Sequence, residues 1–231
     1  MTNSHRGRHA VLTGDLINSS KLTSAELAKV REALSRAVDD FQFAWPDVVI
    51  GELDFFRGDS WQLLMGAPAN ALRLALLIRT SLRAQVEADT RISIGIGRVD
   101  NIEHGKISLS TGEAFTLSGR ALDDMGNYFQ LTAAVSDGAG PIVDWVPLTF
   151  QLCGAIMRTW TRRQSEIVGT ALMMKNPEHE EIANALTPPV AKQTVTKSLL
   201  ASNWRALVSA LKAFERADWN AWYMQDLKQP D

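Results

Sequence analysis

Residues 51–65 read GELDFFRGDSWQLLM, and the five residues GDSWQ at 58–62 decide how the chain around them is folded. On either side lie runs with strand character, DVVIGELDFF at 47–56 and SWQLLM at 60–65. Between them, Gly58 tolerates a positive φ without steric cost, and Asp59 can hydrogen-bond its own turn backbone. The stretch therefore reads as a β-hairpin with its tip at Arg57-Gly58-Asp59. In the second strand Trp61, Leu63 and Met65 share one face by the two-residue period.

Working outward, HAVLTGD at 9–15 is a short apolar run closed by Gly-Asp, a first strand. Thr23 to Glu26 match a capping box, and Leu27, Val30, Leu34, Val38 and Phe41 form a helical stripe that ends near Pro46. Pro68 opens a second helix with Leu74, Leu77, Ile78 and Leu82 on one stripe. RISIGIGRV at 91–99 alternates Ile92, Ile94 and Ile96 with small or polar residues and predicts a strand. Its glycines mark either close approach of a ligand or close approach of a packed helix. TGEAFTLSGRALDDM predicts a third helix and YFQLTAAVS a further strand. The order β-α-β-β-α-β with additions is that of a split βαβ, ferredoxin-like α+β sheet. SDGAGP at 136–141 has the glycine and proline content of a boundary. Beyond it the sequence is mostly helical, so the expected organisation is an α/β domain at 1–140 and a helical domain at 141–231.

Composition bounds the function classes. Of 231 residues, 45% are hydrophobic and 22% charged, which fits a globular chain able to bury a core. The net charge of −2 gives no overall basic field for nucleic acid or membrane. A single cysteine, Cys153 in LTFQLCGAIM, excludes an intrachain disulfide framework and reads as a small buried hydrophobe. No apolar leader and no apolar run of about twenty residues is present, so a cytoplasmic protein without a membrane partner is expected. The four histidines are scattered without zinc-ligand spacing.

In a split βαβ sheet the first strand is central and lies beside the hairpin. The end of strand one, at Asp15, therefore approaches the hairpin tip, at Asp59. Two carboxylates that converge this way can hold Mg²⁺ or Mn²⁺ against a phosphate chain. From Asp15 to the first helix runs LINSSKLTS, in which the amides of Ile17, Asn18, Ser19 and Ser20 can cradle phosphate oxygens. The alternative for each aspartate is an ordinary turn role.

VLTGDLINSS, FFRGDSWQLLM, RISIGIGRV and GEAFTLSGR occur in the order and roughly the spacing of the class III nucleotide cyclase catalytic domain. That family's pattern is F-x-D-I-x-G-F-T, a T-x-G-D hairpin, R-x-G-I-x-x-G and V-N-x-A-S-R. The GDSWQ form of the hairpin most resembles the SatD-like family of bacterial proteins, which pair a cyclase-like region with a C-terminal helix-turn-helix segment. The resemblance covers residues 9–135 best. It implies a cyclase-like fold with a nucleotide ligand. Asp15 and Asp59 match the metal aspartates, and Leu16 the residue whose carbonyl assists. Arg120 matches the arginine that steadies the transition state, with Thr116 at the position of that arginine's asparagine partner. The base-reading lysine and aspartate fall near Leu53 and Leu109, whose side chains cannot hydrogen-bond a base and read instead as apolar packing positions. The resemblance thus keeps the metal-phosphate half of the site and loses the base-reading half. Arg120 can instead pair with Asp123 or Asp124 along its own helix.

In the C-terminal part, EEIANAL followed by QTVTKSLL resembles a helix-turn-helix, of the winged kind in the expected fold. Ile182, Ala183, Leu186, Val195 and Leu199 would pack, while Lys192, Gln193, Thr194, Thr196 and Lys197 would face DNA. Residues 141–231 hold ten basic and nine acidic residues, a weak charge for that role. The alternative is a helical packing or dimerisation module, with Trp219, Trp222 and Tyr223 in the tail as docking aromatics. Three functions follow: a cytoplasmic regulator that binds a nucleotide and contacts DNA, a divergent cyclase or nucleotidyl-transfer enzyme, or a non-catalytic interaction module. A homodimer is expected for the first two.

Overall fold

The computed structural model describes residues 7–136 and 140–219, which leaves Trp222 and Tyr223 outside the described residues. The first strand is β1 (His9–Leu16), followed by a short 3₁₀ turn at Ser19–Lys21 and helix α1 (Ser24–Ala44). The hairpin is β2 (Val49–Phe56) and β3 (Ser60–Met65). Helix α2 (Ala71–Gln85), β4 (Thr90–Gly97), α3 (Glu113–Asp123) and β5 (Leu131–Val135) complete the sheet region. The strand order is β2-β3-β1-β4-β5. Antiparallel pairing of β1 with both β3 and β4 is the split βαβ arrangement expected from the sequence, and β5 adds a parallel strand at the edge.

Local chemistry explains the elements. Thr23 caps α1 in a complete capping box with Glu26. Along β1, alternate residues go to opposite faces: Ala10, Leu12 and Leu16 join the large core under α1 and α2, while Val11 joins Leu64, Ile107 and Ala114 on the α3 side. The glycines of SIGIG serve helix packing. A Cβ on Gly95 would lie 2.0 Å from the Ala114 carbonyl oxygen of α3. Helix α2 departs from the expected one-sided stripe. Leu72, Leu76, Arg79 and Thr80 are buried along with Leu74, Leu77, Ile78 and Leu82, because α1 covers one side of the helix and a C-terminal helix the other.

That C-terminal set is helical as expected: α4 (Ile142–Arg158), α5 (Arg162–Leu172), α6 (His179–Ala185), α7 (Lys192–Ala201) and α8 (Trp204–Arg216). Helix α4 packs on β5 and α5 packs on α2, and residues on both sides of position 140 belong to one buried cluster. No strand follows β5 among the described residues, so the wing of a winged helix-turn-helix is missing there. Ile182, Ala183, Leu186, Val195 and Leu199 are buried, as expected for an α6–α7 pair.

Arginines tie the two halves together by reaching the ends of each other's helices, where carbonyls lack intrahelical partners. Arg83 of α2 donates to the carbonyls of Met157 and Trp160 at the end of α4. Arg73 of α2 donates to the Leu172 carbonyl that ends α5 and pairs with Glu215 of α8 at 2.6 Å. Arg162 of α5 returns the contact to the Ala84 carbonyl of α2, at 2.8 Å. Beneath them the fully buried Arg79 holds Asp89 in a two-pronged pair and donates to Gln130 at 2.6 Å. No described helix is long and apolar enough to cross a membrane.

Candidate functional site at the end of the sheet

Gly14 and Trp61 set the geometry of this end. A Cβ on Gly14 would lie 2.5 Å from the Trp61 indole, so glycine is what lets the buried ring pack against β1. The indole Nε1 donates to the Thr90 hydroxyl at 3.0 Å, and that hydroxyl donates to the Asp15 carbonyl at 2.7 Å. Three strands are thereby locked at the point where β1 ends. Arg57 and Gly58 both take positive φ at the hairpin tip, 49° and 85°. The Asp59 carbonyl accepts from the Leu16 amide at 3.2 Å. Asp15 stands opposite Ser60 in the register, so the two aspartates do meet at one end of the sheet, as the topology predicts.

Their partners are what the sequence did not reveal. Asp15 stands directly across from Arg91 in the β1–β4 register. The guanidinium grips both carboxylate oxygens, with Nε to Oδ1 at 2.8 Å and Nη2 on Oδ2. Hydrogen bonding to Asp15, reinforced by the charges of Asp15, Asp123 and Asp59, pushes Arg91 above its ordinary pKa against the effect of burial. Asp59 Oδ2 accepts the hydroxyl of Ser19. Among the described residues no group of three or more histidines, cysteines, aspartates or glutamates is placed to hold a metal ion. As arranged, Asp15 and Asp59 face an arginine and a hydroxyl, a set that does not fit Mg²⁺ or Mn²⁺.

The remaining expected residues divide. Leu16 and Ile17 spend their amides on the Asp59 and Asp89 carbonyls. Asn18, in the left-handed region at φ 57°, turns the chain so that the amides of Asn18, Ser19 and Ser20 stay without a backbone partner among the described residues. Thr116 and Arg120 lie one turn apart on the exposed side of α3. Thr116 donates to the Gly112 carbonyl of its own helix at 3.3 Å, and Arg120 makes no ion pair with Asp123 or Asp124. Leu53 packs half-buried on the core as read, but Leu109 is 62% exposed and is not a packing position. It sits on a 3₁₀ turn at Ile107–Leu109, where Ile107 takes the buried place instead. Burial pushes the Cys153 thiol up to about 12, which keeps it protonated and inert at neutral pH.

The five residues assigned to DNA, Lys192, Gln193, Thr194, Thr196 and Lys197, all lie on the exposed side of α7. Two of them have protein partners. Lys192 pairs with Glu180 at 3.7 Å, and the Thr196 hydroxyl meets His179 Nδ1 at 2.8 Å.

No family model matches the chain, and no curated protein matches it. Solved structures resemble it over about half its length. The guanylyl cyclase Cya2 is 22% identical over 56% of this chain and 74% of its own, with a TM-score of 0.38. A bacterial light-regulated adenylyl cyclase is 16% identical over 57% of this chain and 43% of its own, with a TM-score of 0.39. The active GGEEF domain of a diguanylate cyclase from Vibrio cholerae is 17% identical over 52% of this chain and 76% of its own, with a TM-score of 0.34.

Proposed function

We propose that this chain is a cytoplasmic, non-catalytic regulatory protein of the SatD-like family. In this reading it binds a nucleotide or related phosphate compound at the end of its sheet, without turning it over. The observation that carries the reading is the state of the two aspartates. Metal-dependent nucleotidyl transfer needs both carboxylates turned to cations that clamp the attacking and leaving oxygens. Here Asp15 is gripped by Arg91 and Asp59 accepts from Ser19. The amides of Asn18, Ser19 and Ser20 remain for phosphate oxygens, and Arg120 is exposed on α3. Neither Leu53 nor Leu109 can read a base edge, which favours recognition through phosphate.

The test is a melting curve with each nucleoside triphosphate, with and without Mg²⁺ or Mn²⁺, beside an assay for product. A ligand that binds only the folded state raises Tm. The expected result is a rise with at least one triphosphate, lost in Ser19→Pro, and no product. Product formation replaces this reading with the divergent cyclase. No rise with any triphosphate removes the nucleotide reading.

Contact with DNA is the second part of the proposal, supported by the solvent-facing row on α7 over its buried Val195 and Leu199. A gel shift at low salt, where non-specific binding is strongest, tests it. Absence of any shift there leaves the helices an interaction role.

A further inference from the structure

Asp15 already holds a cation that belongs to the chain, on its β4 side, across β1 from the hairpin tip that carries Asp59. Arg91 is the second residue of β4 and faces Asp15 across the strand pair. Both partners are partly open to solvent, with side chains 30% and 22% exposed. The third nitrogen, Nη1, donates to the Gly126 carbonyl at 3.4 Å, so all three guanidinium nitrogens are engaged. The charged groups around it come from three elements: Asp15 on β1, Asp59 on the hairpin tip and Asp123 at the end of α3. The guanidinium thus pairs with Asp15 and also feels the charges of Asp123 and Asp59.

We infer that Arg91 is the resident cation of this site and excludes a divalent ion from Asp15 and Asp59. A plain cross-strand ion pair would be worth little and would sit anywhere on the sheet. This one sits where two carboxylates converge, and its planar fork takes both oxygens that a metal would need. A divalent ion would have to remove the fork from Asp15 and then tolerate a like charge a few ångströms away. Combined with the reading of the sheet end as the working site, this makes phosphate recognition there independent of divalent metal.

Manganese binding reads this directly, without a nucleotide, so this test and that of the proposed ligand fail separately. Electron paramagnetic resonance of Mn²⁺ titrated into the full chain is expected to show the ion free. The variant Arg91→Gln removes the charge and the fork, and is expected to bind one equivalent of Mn²⁺ at least about tenfold more tightly than the parent, since a neighbouring charge shifts an ionic equilibrium by about 1–3 log units. Adding Asp15→Asn to it abolishes that binding. Arg91→Lys keeps the charge without the fork and falls between. Parent protein that binds Mn²⁺ through Asp15 as tightly as Arg91→Gln overturns the inference, as does a folded Arg91→Gln that takes none. Should Arg91→Gln fail to fold, an Arg91→Lys chain that binds Mn²⁺ no better than the parent overturns it equally.

Discussion

At the scale of single residues, the end of the sheet depends on an atom that is missing. Gly14 has no side chain because Trp61 occupies that space: a Cβ there would also come within 2.6 Å of the Arg91 carbonyl. Gly14→Ala must therefore push the indole off β1 and strain the Trp61–Thr90–Asp15 chain. The expected cost is about 1–3 kcal/mol, the range for overpacking a filled core. A lowered Tm and a shifted Trp61 fluorescence maximum would show it; an unchanged melting curve would mean the contact yields freely. The meeting of the two aspartates at one end of the sheet was legible. Asp15 and Asp59 were placed by topology alone, because strand order dictates which ends meet. Arg91 was in plain view in RISIGIGRV, yet its role depends on pairing register, which a single strand's sequence does not encode. The usable signal was its position: with the two antiparallel strands in full register, an arginine one residue in from the start of strand four lies opposite the residue one in from the end of strand one. Leu109 was misread for a related reason, since an apolar residue in a short turn carries no periodicity to assign it inward or outward.

At the scale of elements, helix α3 is held to β4 by charge at its start. Glu113 begins the helix, accepts the Arg98 amide at 3.0 Å and pairs with Arg8 at 3.2 Å. Burial alone would raise its pKa from the ordinary 4.5, but the Arg98 amide and the charges of Arg8 and Arg98 help bring it below that value. A carboxylate lowered in the folded state contributes stability that is complete above the unfolded pKa and is lost as pH falls through the folded one. Acidification below 4.5 should therefore destabilise the parent, and Glu113→Gln, already without that contribution, should lose less over the same interval. Equal losses in urea unfolding series across that range would count against the staple. Helices such as α1 were readable from their caps and stripes because they bury one face. Helix α2 and its first stripe were readable too, but its second buried face was not, because the partner that covers it, α5, lies about ninety residues further on.

At the scale of the whole molecule, the surface of α4 asks for a partner. Trp145, Leu148 and Leu152 recur at helical spacing on its outer side and are 65%, 42% and 56% exposed. Three large apolar groups in one row are the mark of a covered surface. A second copy of this chain is the expected cover, in line with the homodimer proposed for the regulator. Light scattering should give a dimer for the parent and a monomer for the double variant Trp145→Gln, Leu152→Gln, with little change in Tm for the monomer. A parent that stays monomeric at every concentration would refute this. The change near residue 140 from mixed to helical sequence was legible. What the sequence could not convey is that the helices past that point complete the core of the part before it.

The arginines that cap one another's helices give that completion a temporal meaning. A chain made from its N-terminus forms α2 long before α4, α5 and α8 exist, so Arg73 and Arg83 emerge with no carbonyls to answer. Arg73 cannot meet Glu215 until the chain has been made through α8. The face of α2 that α5 covers is therefore bare in any nascent chain that stops short of α5.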